Sequence, residues 1–186
     1  MIHMSITAAA LFISAAVTVY VDPVRADYET GMVALQRGDH TLAIQEFESA
    51  AIQGDAAAMA ELGSLYLSDG RDEQDFTVAR EWLEKGAAKG NVQAMYKLGR
   101  VYHKGRGAPV DLQQALYWYE QASEKGDASA MKALGDMYLK GEGIPSSLST
   151  AREWYLGSAD KGNIDAVIAL LLMYMQTVGE RLQQQL

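Results

Sequence analysis

The chain contains no cysteine, so it forms no disulfide and has neither a thiol nucleophile nor the ligands of a cysteine–zinc site. Histidine is almost as scarce: three are present, without the His-Glu-x-x-His motif or another paired spacing that binds zinc. No segment shows the alternation of polar and apolar residues that is typical of strands. We therefore expect no metal ion, no cofactor and no β-sheet.

Basic residues are also few in comparison with acidic ones. The 16 lysines and arginines stand against 24 aspartates and glutamates, which leaves a net charge of −8 over 186 residues. A chain this acidic gains little by approaching phosphate backbones or anionic lipid. Roles in nucleic-acid binding and at membrane surfaces are therefore not expected. The length suits one compact domain or one short solenoid.

The N-terminal segment differs in character from the rest of the chain. The run Ile6–Val21 is apolar and uncharged, and at about 16 residues it is shorter than the ~20 that a membrane-spanning helix needs. Val24 and Ala26 occupy the −3 and −1 positions before Asp27. This pattern predicts a signal peptide over residues 1–26 and export to the periplasm. The extreme N-terminus lacks lysine and arginine, so an uncleaved anchor is the alternative.

The dominant feature is a repeat with a period of 36 residues. A Gly-Asp or Gly-Asn pair recurs at this spacing, together with an alanine, a leucine and a tyrosine of each unit and all three tryptophans. The recurring positions are Gly54, Gly90, Gly126 and Gly162; Ala58, Ala94, Ala130 and Ala166; Leu62, Leu98, Leu134 and Leu170; Tyr66, Tyr102, Tyr138 and Tyr174; and Trp82, Trp118 and Trp154. A fixed period of this length predicts a solenoid of stacked supersecondary units.

Each unit is predicted to be a helical hairpin. In the second full unit Asn91 is a suitable N-cap, and apolar residues follow it at spacings of three and four. The segment Gly105–Pro109 ends this helix, and Asp111 begins a second helix that ends before Gly126. We therefore predict an all-α fold, a right-handed α-solenoid of helix–loop–helix repeats.

The repeat also divides the chain into segments. Residues 27–53 have the spacing of a tetratricopeptide-like first hairpin with a shorter loop. Residues 54–162 hold three full units, and residues 163–186 hold a partial unit. Its glutamine-rich end, residues 176–186, is predicted to be a polar terminal helix that covers the last apolar face of the solenoid.

Glycine interrupts the first helix of each full unit, where it costs ~1 kcal/mol relative to alanine. Gly63, Gly99 and Gly135 occupy this position, and Leu171 occupies it in the partial unit. We expect the second helix of each hairpin to cross so closely at the glycine that no side chain fits. The partial unit has no second helix of this kind, which explains why it tolerates leucine.

One set of residues in the second full unit points to a known family. The set comprises Asn91–Gly99, Tyr102, Gly105–Gly107, Pro109, Ala115, Trp118 and Tyr119. With these residues the unit resembles the Sel-one-like repeat family, a branch of the tetratricopeptide superfamily, and the resemblance covers nearly all of residues 27–186. It implies an adaptor that assembles protein complexes, since exported bacterial members are linked to signalling, envelope processes and host contact.

The candidate site lies where exposed positions break the repeat. If the units stack as tetratricopeptide hairpins do, the first helices line the concave face, and their side chains there do not repeat. Its centre holds Tyr96, Arg100 and His103 on one helix face, with Lys132 and Asp136 one unit later. Since aromatic and arginine side chains anchor protein contacts, we predict that these five residues bind a protein or peptide partner. The alternative is that they vary because nothing constrains them.

Two other functions remain open beside an exported, non-enzymatic adaptor. The Ser-x-x-Lys sequences Ser129–Lys132 and Ser158–Lys161 match a motif of penicillin-binding enzymes, although the other motifs of that chemistry are absent. A serine hydrolase acting on β-lactam or peptidoglycan substrates through Ser129 is therefore one alternative, and a structural, self-associating repeat module is another. The pair Gly105 and Gly107 follows a helix rather than a strand, so we interpret it as part of a loop and not as a phosphate site.

Overall fold

The computed structural model describes residues 23–69 and 73–183, and these residues form nine α-helices and no strand. In chain order the helices are α1 Pro23–Gln36, α2 His40–Ile52, α3 Ala56–Asp69, α4 Glu73–Ala88, α5 Val92–Lys104, α6 Leu112–Glu124, α7 Ala128–Lys140, α8 Leu148–Asp160 and α9 Ile164–Gln183. The predicted all-α repeat architecture is confirmed. The predicted signal peptide lies outside the described residues, except for its last four, which are the first turn of α1.

The helices pack in chain order. Helices α1 and α2, α3 and α4, α5 and α6, and α7 and α8 form hairpins, and the second helix of each hairpin packs against the first helix of the next. Helix α3 also contacts α5, so neighbouring first helices lie side by side there. The principal contacts are thus confined to neighbours in the array, as expected of a quasi-one-dimensional repeat protein.

The buried residues form three clusters along the array. The first cluster surrounds Phe47 and joins α1, α2 and α3. The second surrounds Leu98 and Tyr119 and extends from α3 to α7. The third surrounds Tyr155 and ties α8 to α9. The first two clusters each draw on more than one hairpin, and the third joins the last hairpin to α9, so no unit buries its apolar face alone.

The acidic or amide residue after each repeating glycine caps the next helix, as predicted. Asn91 Oδ1 accepts a hydrogen bond from the backbone nitrogen of Ala94 at 2.9 Å, at the start of α5. Side-chain caps of the same kind are made by Asp55, Asp111, Asp127 and Asn163. Each cap satisfies a backbone donor that the first helical turn leaves unpaired.

The mid-helix glycines lie where the two helices of a hairpin cross, which confirms their predicted role. A Cβ atom at Gly99 would lie 2.6 Å from ring atoms of Tyr119 on α6, and one at Gly135 would lie 2.6 Å from the ring of Tyr155 on α8. Gly63 meets Leu83 in the same way. Leu171 has no such neighbour, and 58% of its surface is exposed.

The Gly-x-Gly loops join adjacent units rather than forming a phosphate site. Gly107 has a φ of 77°, and a Cβ atom there would run into the carbonyl oxygen of Phe76 on α4. Its nitrogen donates to Glu73 Oε1 at 3.0 Å, and its oxygen accepts from Arg80 Nε at 2.9 Å. Only glycine combines this backbone conformation with so close an approach. The loop after α5 is therefore fixed to the preceding unit.

The first full unit has fewer residues between its two helices than the unit after it. Helices α3 and α4 are joined by residues 70–72, which lie outside the described residues, whereas α5 and α6 are joined by residues 105–111. The first loop lacks the double glycine and the proline of the second. Since α4 also begins earlier in its unit than α6 does, part of the missing loop is replaced by helix.

The C-terminal segment differs from the prediction. Residues 176–183 continue α9, because no proline or capping residue separates Met175 from the polar segment. The polar residues therefore do not fold back over the solenoid. The outer side of α9 remains open, with Leu171, Leu172, Tyr174 and Met175 all more than half exposed. The expectation of a separate polar helix over the last apolar face is wrong for the described residues.

The crossing at Gly99 generates a stability prediction. Gly99→Ala should destabilise the protein by about 1–2 kcal/mol, because the clash with Tyr119 outweighs the ~1 kcal/mol by which alanine favours a helix. Gly179→Ala on α9 is the matched control, since a Cβ atom there meets nothing within 4 Å, and it should be neutral or stabilising. Urea denaturation of both variants measures the difference. Equal effects would contradict the close crossing.

Candidate functional site

The five predicted site residues lie on two neighbouring first helices. Tyr96, Arg100 and His103 are on α5, and Lys132 and Asp136 are on α7. Among these five, Arg100 is exposed, while the other four are partly buried. The predicted exposure is therefore correct for Arg100. It needs correction for Tyr96, whose side chain packs against the second buried cluster, the one around Leu98 and Tyr119.

Tyr119, a core residue of α6, lies at the centre of the α5 part of the site. Its ring centroid is 6.0 Å from that of Tyr96 and 6.0 Å from that of His103, and its hydroxyl is 3.4 Å from His103 Nδ1. Burial, supported by the neighbouring Tyr96, raises the pKa of Tyr119, while Arg100 opposes the rise. The hydroxyl is therefore a neutral group at physiological pH. We call Tyr96, Arg100, His103 and Tyr119 the central cluster.

A loop carboxylate closes the central cluster from the next unit. Glu142 follows α7, and its Oε2 accepts a hydrogen bond from His103 Nε2 at 2.9 Å. Lys140 Nζ lies 3.7 Å from the other oxygen of Glu142. His103 is thus held on both ring nitrogens, by Tyr119 on one side and by Glu142 on the other. The sequence pattern does not identify Glu142, because it occupies the variable position of a Gly-x-Gly loop.

The α7 part of the site is a separate network of three groups. Asp136 accepts from Lys132 Nζ at 2.7 Å through Oδ2 and from the Tyr155 hydroxyl at 2.8 Å through Oδ1. Burial and the hydrogen bond to Asp136 raise the pKa of Tyr155. Lys132 and Asp136 therefore satisfy each other. The structure brings the five predicted residues into two adjoining groups rather than one.

A groove of about 660 Å³ lies on the N-terminal side of the central cluster, between α1, α3 and α5. Four cations line it together with one carboxylate, that of Glu61. The cations are Lys97, Arg100, Lys104 and Arg106. We call this feature the basic groove. Sequence analysis found only Arg100, although Lys97 and Lys104 lie three residues before it and four after it, on the same helix face.

A second groove lies on the C-terminal side, between α7 and α9, with a volume of about 430 Å³. Lys132 and Asp136 form one wall, and exposed apolar residues of α7 and α9 form much of the rest. These apolar residues are Leu139, Ile168 and Leu172. The predicted site residues therefore lie between a basic groove and a largely apolar one.

The family of the chain follows from its repeat. The Sel1 repeat profile matches residues 56–91, 92–127 and 128–163, which is more than half of the chain. The chain belongs to the Sel1 repeat family. A tetratricopeptide repeat profile also matches, over residues 7–58. Proteins built of Sel1 repeats are in general protein-interaction scaffolds.

Solved structures show the same Sel1 architecture. A protective antigen of uropathogenic Escherichia coli strains that displays an SLR fold is 34% identical, with a TM-score of 0.74, over 83% of this chain and 34% of the antigen. A Sel1 repeat protein from Oxalobacter formigenes is 30% identical, with a TM-score of 0.72, over 79% of this chain and 60% of that protein. The chain thus spans about a third of the first protein and three fifths of the second. No curated protein sequence matches it.

The two Ser-x-x-Lys sequences are not arranged for nucleophilic catalysis. Lys132 donates to Asp136, and among the described residues no hydrogen bond joins it to Ser129. Ser158 is fully buried, and its hydroxyl donates to the backbone oxygen of Ala128 at 2.6 Å. An activated serine needs a base within hydrogen-bond reach and access to substrate. The geometry of this Sel1 array therefore favours neither serine as a nucleophile.

Residues 23–69 and 73–183 hold neither a cluster of metal ligands nor a helix suited to span a membrane. There, no three histidine, aspartate or glutamate side chains converge as metal ligands. None of the helices described there has both the length and the apolar character of a membrane span.

The Asp136 network generates a second stability prediction. Tyr155→Phe should cost about 1.5–3 kcal/mol, because it removes a short hydrogen bond to a charged acceptor. Tyr119→Phe is the matched control: its hydroxyl makes only a 3.4 Å contact with His103, so it should cost less than about 1 kcal/mol. Urea denaturation compares the two. A larger loss for Tyr119→Phe would contradict this description of the networks.

Proposed function

We propose that this Sel1 repeat protein is an exported, non-enzymatic adaptor that holds a segment of a protein partner on the face formed by α5 and α7. The observation that carries the proposal is the position of the central cluster between two grooves on that face. The repeat determines the core residues, Tyr119 among them, yet Tyr96, Arg100 and His103 are replaced by other residue types in the other full units. A surface that varies on a constant scaffold is suited to a specific ligand.

The chemistry of the face suits a peptide better than a small metabolite. The two grooves have volumes of about 660 and 430 Å³ and are open rather than enclosed. An extended or helical segment can lie across α5 and α7 and reach both of them, with Arg100 and Tyr96 between them as anchors. The Arg100 guanidinium lies over the Tyr96 ring, 5.9 Å from its centroid, so the two side chains form one contact surface.

Self-association is a second candidate function, and the open side of α9 favours it. Among the residues of this helix whose burial is described, seven large apolar side chains are exposed. They are Ile164, Val167, Ile168, Leu171, Leu172, Tyr174 and Met175. Sedimentation velocity over a range of protein concentrations tests this candidate. A monomer at every concentration would remove it.

The adaptor proposal is tested by substitution in the central cluster. Arg100→Ala should weaken binding of a partner recovered from the cell envelope by roughly 1–3 kcal/mol, the range of interface anchors, and should leave the melting temperature nearly unchanged, because the side chain is exposed. Calorimetric titration of the purified partner measures the effect. Tyr96→Ala also removes core packing, so its melting temperature must be measured beside its affinity.

The matched control for this test is Gln114→Ala. Gln114 is exposed on the second helix α6, outside both grooves. Its substitution should leave the affinity unchanged. Wild-type affinity in Arg100→Ala, or an equal loss in the control, would move the binding site away from the face of α5 and α7.

Export is tested at the N-terminus. We predict that the exported protein begins at Asp27, because Val24 and Ala26 form the cleavage site. Processing there removes the first turn of α1 but keeps Asp27, whose carboxylate accepts hydrogen bonds from Ser49 and Gln53 of α2. N-terminal sequencing of protein recovered from the periplasm identifies the first residue of the exported chain.

The opposite outcome is an exported chain that is not cleaved before Asp27. The tetratricopeptide match begins at residue 7 and overlaps the predicted signal peptide. A chain that keeps its N-terminal residues would therefore place them in the repeat or in an anchor, and would refute processing at Asp27.

A further inference from the structure

The basic groove concentrates positive charge on an acidic protein. Four of the 16 lysines and arginines line this one groove, against the single carboxylate of Glu61, although the whole chain has a net charge of −8. None of the four forms a salt bridge with a carboxylate of the described residues. Unpaired cations are common on protein surfaces, but their convergence in one groove of an acidic protein is not expected from composition.

The charge of the groove is not a property of the repeat. The residues equivalent to Lys97 in the other units are glutamate or alanine, at Glu61, Ala133 and Ala169. Arg100 is replaced by Ser64, Asp136 and Leu172. Packing of the units therefore requires cations at neither position. All four cations of the basic groove belong to the second full unit, although residues of α1 and α3 also line it.

Favourable interaction with the C-terminal end of the α5 dipole explains only some of these cations. Lys104 lies in the last turn of α5, where a cation interacts favourably with the helix dipole. Arg100 and Lys97 lie about one and two turns earlier, respectively, beyond the reach of that effect. Lys97 is also partly buried, and the resulting desolvation lowers the pKa of its ammonium group, with only partial compensation by Glu61. Partial desolvation of this cation is a cost to the free protein that a ligand carboxylate would relieve.

We infer that the basic groove receives an acidic stretch of the protein partner, whose carboxylates pair with Lys97, Arg100, Lys104 and Arg106. This inference rests on the proposed adaptor function and adds the chemistry of the segment that is bound. Arg100 belongs both to the groove and to the central cluster, so an acidic segment in the groove leads directly to the predicted anchors. The apolar groove between α7 and α9 would then take an apolar part of the same segment.

An acidic peptide fits this groove better than a nucleic acid does. The chain as a whole has a net charge of −8, so a long phosphate backbone that extends beyond the groove would meet repulsion. A short acidic stretch places its charges only where the cations are.

The first experiment selects peptides from a random phage-displayed library on the purified protein. Peptides enriched in aspartate and glutamate are expected. The best of them, labelled with fluorescein, is then titrated against the protein by anisotropy, beside the same peptide with every carboxylate replaced by the amide. The acidic form should bind at least about tenfold more tightly, and its affinity should fall as salt is added.

Matched charge variants locate the bound peptide. Arg100→Gln with Lys104→Gln removes two exposed cations of the groove and should weaken the acidic peptide about tenfold or more. Lys89→Gln with Lys125→Gln removes two exposed cations that follow α4 and α6, outside the groove, and should change the affinity less than about twofold. Equal losses in the two double variants would mean that net charge alone governs binding, and would overturn the inference.

The remaining outcomes separate this inference from the adaptor proposal. Selected peptides without acidic enrichment that still lose affinity in Arg100→Ala would overturn the acidic segment and keep the adaptor. Peptides insensitive to every substitution on α5 and α7, or an absence of binding peptides, would overturn both. Single-stranded DNA that binds the groove as tightly as the acidic peptide would also overturn the inference, because it would show a site for polyanions in general.

Discussion

Within each hairpin the two helices approach until a large side chain of the second rests on a glycine of the first. Tyr119 on Gly99 and Tyr155 on Gly135 are the two examples that involve tyrosine. The close approach sets the distance between the helices, and with it the direction in which the next hairpin leaves the previous one. Glycine is unfavourable in a free helix, so the sequence accepts a local cost at each unit to obtain a constant crossing. The helix caps and the loops do not set the distance between the two helices; the crossing does.

The same crossings connect the core to the candidate site. The ring of each tyrosine is buried at a glycine, while its hydroxyl reaches the face formed by α5 and α7. Tyr155 donates there to Asp136, and Tyr119 meets His103. Packing of the hairpin fixes the position of each tyrosine. The hydroxyl of that tyrosine in turn holds a polar side chain of the surface in place. A site built in this way is preorganised, so a ligand finds most side chains in place and loses little free energy by ordering them.

The repeat made the fold predictable, whereas the site was only partly so. Residues that recur with the repeat, such as Gly99 and Asn91, identify the packed core and the helix caps, because every unit packs in the same way. Exposed Arg100 was found because it breaks the period. Glu142 and Arg106 were missed, since loop residues have no helical spacing to indicate where they point. Tyr119 was assigned to the core alone, because a sequence pattern shows the side of a helix on which a residue lies but not how far its hydroxyl extends.

Leu171 limits how such an array can grow. Each earlier unit offers a glycine on which the side chain of its second helix can rest, and α9 offers a leucine whose side chain occupies that space. A copy of α8 placed beside α9 would be held away from it by several ångströms of side chain and would lose the contact that unites every other hairpin. Duplication of whole units between Gly54 and Gly162 preserves the crossings, whereas a unit appended beyond α9 does not. A helix that packed on α9 as α8 packs on α7 would therefore need a small residue at position 171.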